Sequence, residues 1–284
     1  MTDQPPLPSH DQTVRGVIAA PFRYSIAVGS GKGGVGKTTV AVNLAVDLAS
    51  RGYAVGLLDA DIYGPNVPLM MGLDHLPQQS GEKILPATAY GVRVISIGLF
   101  PGIQADQPLI WRGPMLHKAI RQFISDVEWG ELDILIVDLP PGTGDAGLSV
   151  AQSIALTGGV IVTLPQQVSL DDARRGLEMY RQLNVPVLGV VENMSYLDLP
   201  GGGRFDVFGS GGGRKLARES GVPFLGSIPM DPNVRLGSDE GRPVVNTFPD
   251  SAVSISLREI STTLLERIEG LLPAGPGPIQ IDLH

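Results

Sequence analysis

The chain has 284 residues with 29 acidic and 21 basic side chains, a formal charge of −8 at pH 7, which excludes a mainly electrostatic DNA or RNA binder. Glycine (37) and proline (24) are abundant but stay below the level at which disorder is the expectation, and 43 % hydrophobic residues provide for a core. Cysteine is absent, so disulfides, thiolate nucleophiles and sulfur ligands for zinc or an iron–sulfur cluster are excluded.

No apolar run approaches the ~20 residues that span a bilayer, and the first dozen residues lack the pattern of a signal peptide, so a cytosolic, cytoplasmic protein is expected. Residues 1–22 are proline-rich and aperiodic and read as a flexible lead-in, and 273–284 reads as a flexible tail. Between them, 23–272 is expected to form one domain. Apolar runs of strand length at 25–30, 53–61, 92–98, 132–139, 158–164, 185–192 and 222–228 alternate with helical periodicity over 38–52 and near 113–126, 145–156, 169–183, 211–220 and 251–270. A Tyr-Gly pair within 83–97 predicts a hairpin beside the main sheet. The alternation predicts an α/β fold, a mostly parallel β-sheet flanked by helices.

Between the first strand and first helix stands Gly31-Lys32-Gly33-Gly34-Val35-Gly36-Lys37-Thr38, a G-x-x-x-x-G-K-[ST] loop in its strand–loop–helix context. Glycines let the backbone curl until successive N–H groups point at phosphate oxygens, and the helix N-terminus adds positive charge. Lys37 then contacts the outer phosphates of ATP, the Thr38 hydroxyl ligates Mg²⁺, and Thr39 completes the phosphate-binding set. Only five of the 21 basic residues are lysines, at 32, 37, 83, 118 and 215, and two of them lie in this loop. Gly29-Ser30-Gly31-Lys32-Gly33-Gly34 also satisfies the dinucleotide pattern G-x-G-x-x-G, with Asp59 as the acidic partner of a ribose.

The next motifs favour the triphosphate reading. Leu135-Ile136-Val137-Asp138 is an apolar strand ending in a carboxylate, which places Asp138 near the shell of a bound metal. Pro140-Pro141-Gly142-Thr143-Gly144 follows as a loop whose amides could sense a γ-phosphate. Leu58-Asp59-Ala60-Asp61 offers two carboxylates on one side of an extended chain: Asp61 to orient or deprotonate the attacking water, Asp59 to support the magnesium shell. Taken alone, Asp138 is equally a strand-end turn residue, whereas helix capping ahead of Ile62-Tyr63-Gly64-Pro65-Asn66 is the lesser alternative for Asp59 and Asp61.

A second lysine directly after the first glycine resembles the deviant Walker A ATPases, whose K-G-G-x-G-K-[ST] stands at 32–38. The resemblance implies a P-loop NTPase fold of the MinD/ParA type and a homodimer joined through the nucleotide face. It also implies that Lys32 acts on the partner subunit's nucleotide. The longer strings SGKGGVGKTT (30–39), LDADIYGPN (58–66), IVDLPPGTGD (136–145), VVENMSY (190–196), FGSGGG (208–213) and VPFLGSIPMD (222–231) resemble the Mrp/ApbC iron–sulfur cluster carriers from about residue 24 to 270. By that resemblance Asn193 recognises the adenine edge and the Pro229-Met230-Asp231 segment lies against the base.

Carriers of that family place a Cys-x-x-Cys pair between the ENMSY and FGSGGG strings, where this chain has Leu197-Asp198-Leu199-Pro200-Gly201-Gly202-Gly203-Arg204. A thiolate-bridged cluster is chemically impossible here, and the four histidines (10, 75, 117, 284) are distant in sequence. Asp198 and Asp206 could hold a hard cation weakly, although a solvated loop explains them as well.

Three functions compete: an Mrp/ApbC-type Mg²⁺-ATPase in iron–sulfur assembly, a cluster-free ATP-driven switch or scaffold that recruits a client, and a MinD/ParA-like positioning ATPase. The third needs a DNA-facing or membrane-binding surface. The last helical segment mixes Arg258 and Arg267 with Glu259, Glu266 and Glu269, the wrong sign for anionic lipid. Neither nucleic acid nor membrane is an expected partner.

Overall fold

Strands buried on both faces need near-continuous apolar runs, and Tyr24–Ser30 and Leu132–Asp138 supply two of them at the centre of the sheet. A computed structural model describes residues 17–19, 22–74, 77–81, 83–99, 113–199, 201–271 and 280–282. In chain order the elements are β1 (Val17–Ala19), β2 (Phe22–Ser30), α1 (Lys37–Ser50), β3 (Val55–Asp59), α2 (Val67–Met70), β4 (Gln78–Ser80), β5 (Lys83–Leu85), β6 (Ala87–Ala89), β7 (Val92–Ser96), α3 (Gly113–Ser125), β8 (Leu132–Asp138) and α4 (Asp145–Ser153). They continue as β9 (Gly158–Thr163), α5 (Gln167–Gln182), β10 (Val187–Glu192), β11 (Leu197–Asp198), β12 (Arg204–Phe205), α6 (Gly212–Ser220), β13 (Phe224–Ser227), α7 (Pro232–Asp239), α8 (Val244–Thr247), α9 (Ala252–Leu271) and β14 (Gln280–Asp282).

The main sheet has eight strands in the order β13-β10-β9-β2-β8-β3-β7-β6, all parallel except that β6 runs antiparallel to β7 at one edge. Its period-2 alternation feeds two cores. Ile26, Val28, Ile134 and Ile136 pack with Leu44, Leu48, Leu257 and Ile260 of α1 and α9. Ala27, Leu135, Val137 and Ile161 pack with Leu116, Ile120, Leu177 and Tyr180 of α3 and α5. The α/β, mostly parallel fold expected from the sequence is therefore present.

The Tyr-Gly hairpin is present too. Tyr90 (φ 52°) and Gly91 (φ 76°) both take left-handed backbone, the turn that matches strand twist, and they join β6 to β7 within the main sheet. The sequence reading passed over α2, α7 and α8, which are four to eight residues long and too short to display a helical period. Both ends of the chain were expected to be flexible, yet 17–19 and 280–282 pair as an antiparallel ladder, Val17 opposite Asp282. The rest of those two segments lies outside the described residues. Among the described residues no helix is long and apolar enough to cross a membrane.

Candidate functional site

Adjacent parallel strands bring their carboxyl ends to one edge, and here β2, β8 and β3 are neighbours with Val28 opposite Asp138 and Asp138 opposite Asp59. The loop Gly31–Gly36 leaves β2 at that edge and enters α1. Gly34 (φ 78°) and Gly36 (φ 82°) adopt left-handed backbone, which curls the loop. A Cβ at Gly31 would sit 2.0 Å from the Asp172 carbonyl carbon, and one at Gly36 would sit 2.2 Å from Asn193 Nδ2, so both positions exclude a side chain. α1 has no side-chain cap and no acidic residue in its first turn, which leaves its first N–H groups available to an anion.

These N–H groups border a cavity of about 840 Å³, within the range of small-molecule sites, lined by Lys32, Gly33, Gly34, Gly36, Lys37, Thr38 and Thr39. Asn193, Met194, Ile228, Pro229, Met230, Asp231 and Asp61 line it as well. The structure thus gathers most sequence-predicted residues around one space. Gly31, Val35, Asp59 and Asp138 are not on its wall. Val35 is buried and its carbonyl accepts from Asn193 Nδ2 at 2.9 Å, tying the turn at Asn193 to the phosphate loop. Asp231 also caps α7, accepting from the Asn233 N–H at 2.8 Å.

Lys37 is buried, with its ammonium 2.7 Å from Asp138 Oδ1 and 3.6 Å from Asp61 Oδ2. The Thr38 hydroxyl donates to Asp138 Oδ2 at 2.7 Å. Lys32, by contrast, is half-exposed and forms no hydrogen bond or ion pair through its ammonium among the described residues. A loop lysine whose ammonium has no partner among the described residues can reach another molecule.

The two carboxylates of LDAD do not share a side of an extended strand, as the sequence implied. β3 ends at Asp59, and the Asp61 N–H turns back to donate to Asp59 Oδ1 at 3.1 Å. Asp61 therefore lines the cavity, while Asp59 is wholly buried behind it, accepting from Ser96 Oγ at 2.8 Å and the Val67 N–H at 3.3 Å. Ser96 escaped the sequence reading because only strand pairing of β3 with β7 brings it to Asp59.

Burial, and then the Asp138 charge, push the Asp59 carboxyl up to about 8. Burial likewise raises Asp138 and Asp61, opposed in both by the Lys37 ammonium. Since Asp59 binds its proton more tightly folded than unfolded, its contribution to stability is present at acid pH and is lost as pH rises from about 4 to about 8. Accordingly, denaturant midpoints measured in chelator should fall across this window, and Asp59→Asn should flatten that fall.

Hard oxygen donors around a phosphate loop suit Mg²⁺, which binds through one or two carboxylates plus phosphate and water oxygens. Among the described residues no group of three or more His, Asp or Glu side chains could hold a metal by itself. Thr38 and Asp138 fit that sparse requirement. A cluster does not fit: β11 and β12 form a cysteine-free hairpin in which Arg204 pairs with Asp198 (3.4 Å) and stacks on Tyr196. Asp206, the other candidate for a cation, accepts from Ser210 Oγ at 2.7 Å. His117 shares a hydrogen bond with Ser153 at 2.7 Å, and His10, His75 and His284 lie outside the described residues.

A family model described as ParA, NUBPL iron-transfer P-loop NTPase, matches residues 22–265. The chain is 53 % identical over 251 residues to the iron–sulfur cluster carrier protein of Synechocystis, covering 86 % of this chain and 70 % of the relative. It is 45 % identical over 262 residues to an Arabidopsis iron–sulfur protein required for NADH dehydrogenase, mitochondrial, covering 91 % and 83 %. Among solved structures, an Archaeoglobus fulgidus nucleotide-binding protein in complex with ADP aligns at TM-score 0.70 and 40 % identity, over 78 % of this chain and 88 % of that one. The Pyrococcus furiosus cell division ATPase MinD aligns at TM-score 0.65 and 25 % identity, over 88 % and 99 %. The fold is thus that of the MinD/ParA P-loop ATPases, and this cysteine-free chain belongs to the Mrp/ApbC family of iron–sulfur carrier NTPases.

Proposed function

We propose that this protein is a Mg²⁺-dependent ATPase that works as a homodimer in iron–sulfur cluster assembly without holding a cluster on its own side chains. The observation that carries the reading is that Lys37 and Thr38, both bonded to the buried Asp138 behind them, stand beside the uncapped start of α1 on a cavity large enough for a nucleotide. A family of carriers supports the cellular role, and the absence of cysteine argues for a switch or scaffold that delivers a conformational change to a client protein. The proposed setting is the cytoplasm.

In this reading the loop amides and Lys37 grip the β- and γ-phosphates, with Lys37 leaving its pair with Asp138 for the phosphate oxygens. Thr38 and Asp138 hold Mg²⁺, and Asp59 acts from behind, orienting the Asp61 backbone through its hydrogen bond. When bound, Mg²⁺ neutralises phosphate charge and fixes the in-line arrangement. Asp61 orients a water and receives its proton as oxygen bonds to the γ-phosphorus. The bond to the bridging oxygen breaks, and ADP and phosphate result. Asn193, Pro229 and Asp231 receive the adenine. Lys32 reaches the partner subunit's γ-phosphate, which ties turnover to assembly.

Lys32→Ala tests the shared site. It should leave Mg·ATP affinity within about threefold while phosphate release falls by about two orders of magnitude. Turnover that survives, and that does not rise with protein concentration in the unaltered chain, would make Lys32 a solvated loop cation. Anaerobic reconstitution with iron and sulfide should give far less than one cluster per dimer. Stoichiometric, chelator-resistant iron would overturn the cluster-free part of the reading.

A further inference from the structure

Glu192 ends β10 fully buried, and neither the loop chemistry nor the proposed reaction uses it. Its carboxylate meets no cation among the described residues. Instead it accepts three hydrogen bonds: from the Ser195 hydroxyl, from the Gly211 N–H at 3.1 Å and from the Gly213 N–H at 2.5 Å. Gly213 is required for this approach, since a Cβ there would lie 2.9 Å from Glu192 Cβ. A buried carboxylate held only by dipoles persists where the geometry it enforces is needed.

That geometry concerns the turn that puts Asn193 and Met194 on the cavity wall. Between Glu192 and Ser195 lie Asn193, whose side chain reaches the Val35 carbonyl, and Met194, a non-glycine residue in left-handed backbone (φ 50°). The Glu192–Ser195 bond closes across this turn. On its far side, the Ser195 N–H donates to the Ile228 carbonyl at 2.9 Å and the Met230 N–H to the Tyr196 carbonyl at 2.6 Å, joining the turn to the 228–231 wall of the cavity. Through Gly211 and Gly213 the same carboxylate anchors the turn to the first residues of α6.

We propose that Glu192 is a positioning residue for nucleobase recognition: its carboxylate fixes the left-handed turn that holds Asn193 on the cavity wall. The proposal rests on the nucleotide reading of that cavity and adds that the turn carrying Asn193 has a support of its own in Glu192, besides its bond to the loop's Val35 carbonyl. In that reading the loop amides and Lys37 hold the phosphates, and Glu192, whose carboxylate accepts from Ser195, Gly211 and Gly213, reaches the loop only through Asn193 and the Val35 carbonyl. Glutamine at 192 keeps the shape but offers an NH₂ donor where backbone N–H groups already donate, so the turn loses an anchor while the phosphate loop does not.

The test uses the full chain and two probes, Mg·ATP and Mg·tripolyphosphate, titrated calorimetrically with thermal unfolding measured alongside. Glu192→Gln should weaken ATP about tenfold and tripolyphosphate by less than about twofold, and Ser195→Ala should weaken ATP alone by about threefold. Equal losses for both probes, or no loss for either in a folded variant, would overturn the positioning role. If Glu192→Gln fails to fold, Ser195→Ala decides by the same criterion. An unaltered protein that binds ATP no more tightly than tripolyphosphate would also overturn it, whereas one that binds neither probe would refute the nucleotide reading itself.

Discussion

Lys37→Ala should abolish measurable Mg·ATP binding, weakening it by at least about 100-fold. Two charge-assisted hydrogen bonds to phosphate, at roughly 1.5–3 kcal/mol each, set that scale. The substitution has a second effect that must be separated from the first. Lys37 is the cation that compensates Asp138 at 2.7 Å inside the protein, and removing one partner of a buried pair typically costs about 3–5 kcal/mol. Burial already raises Asp138, so the orphaned carboxyl can take up a proton and recover part of that loss. Lys37→Ala combined with Asp138→Asn removes the uncompensated charge. The double variant should therefore unfold at higher denaturant than Lys37→Ala, yet still bind no nucleotide. Calorimetry together with denaturant midpoints distinguishes a lost contact from a lost fold.

Asp61→Ala should separate binding from cleavage in the opposite way. The carboxylate lines the cavity, accepts from the Tyr63 N–H at 3.3 Å and lies 3.6 Å from the Lys37 ammonium, so it adds negative charge beside the phosphates. Its removal should leave ATP affinity unchanged or slightly improved. Phosphate release should fall by about 10²–10⁴-fold, the usual contribution of a positioned acid–base group. Turnover within about twofold of the unaltered protein would reduce Asp61 to a turn residue.

The residues that proved easiest to read are those whose chemistry is local. The loop at 31–38 and the strand ending in Asp138 are linear patterns, each needing only its own strand and helix, and the structure sets them side by side. The inner and outer roles of Asp59 and Asp61 were not legible, because the turn that separates them depends on Ser96 and Val67, eight to 37 residues away. α7 left one local sign, Asp231 before Pro232, a cap followed by a first-turn proline. That sign went unused because the segment was read only as a contact for the base. Glu192 stood in plain view within VVENMSY, but its worth lies in Gly211 and Gly213, which only the packing of α6 against β10 brings near.

The central claim is a triphosphate held by backbone amides, Lys37 and a magnesium ion. Calorimetric titration of the full chain with ATP, with and without Mg²⁺, tests it most directly. Saturable binding of one nucleotide per chain that weakens sharply when Mg²⁺ is withheld is the expected result, and a flat titration with Mg·ATP at a protein concentration where the fold is intact would contradict a triphosphate held in this way.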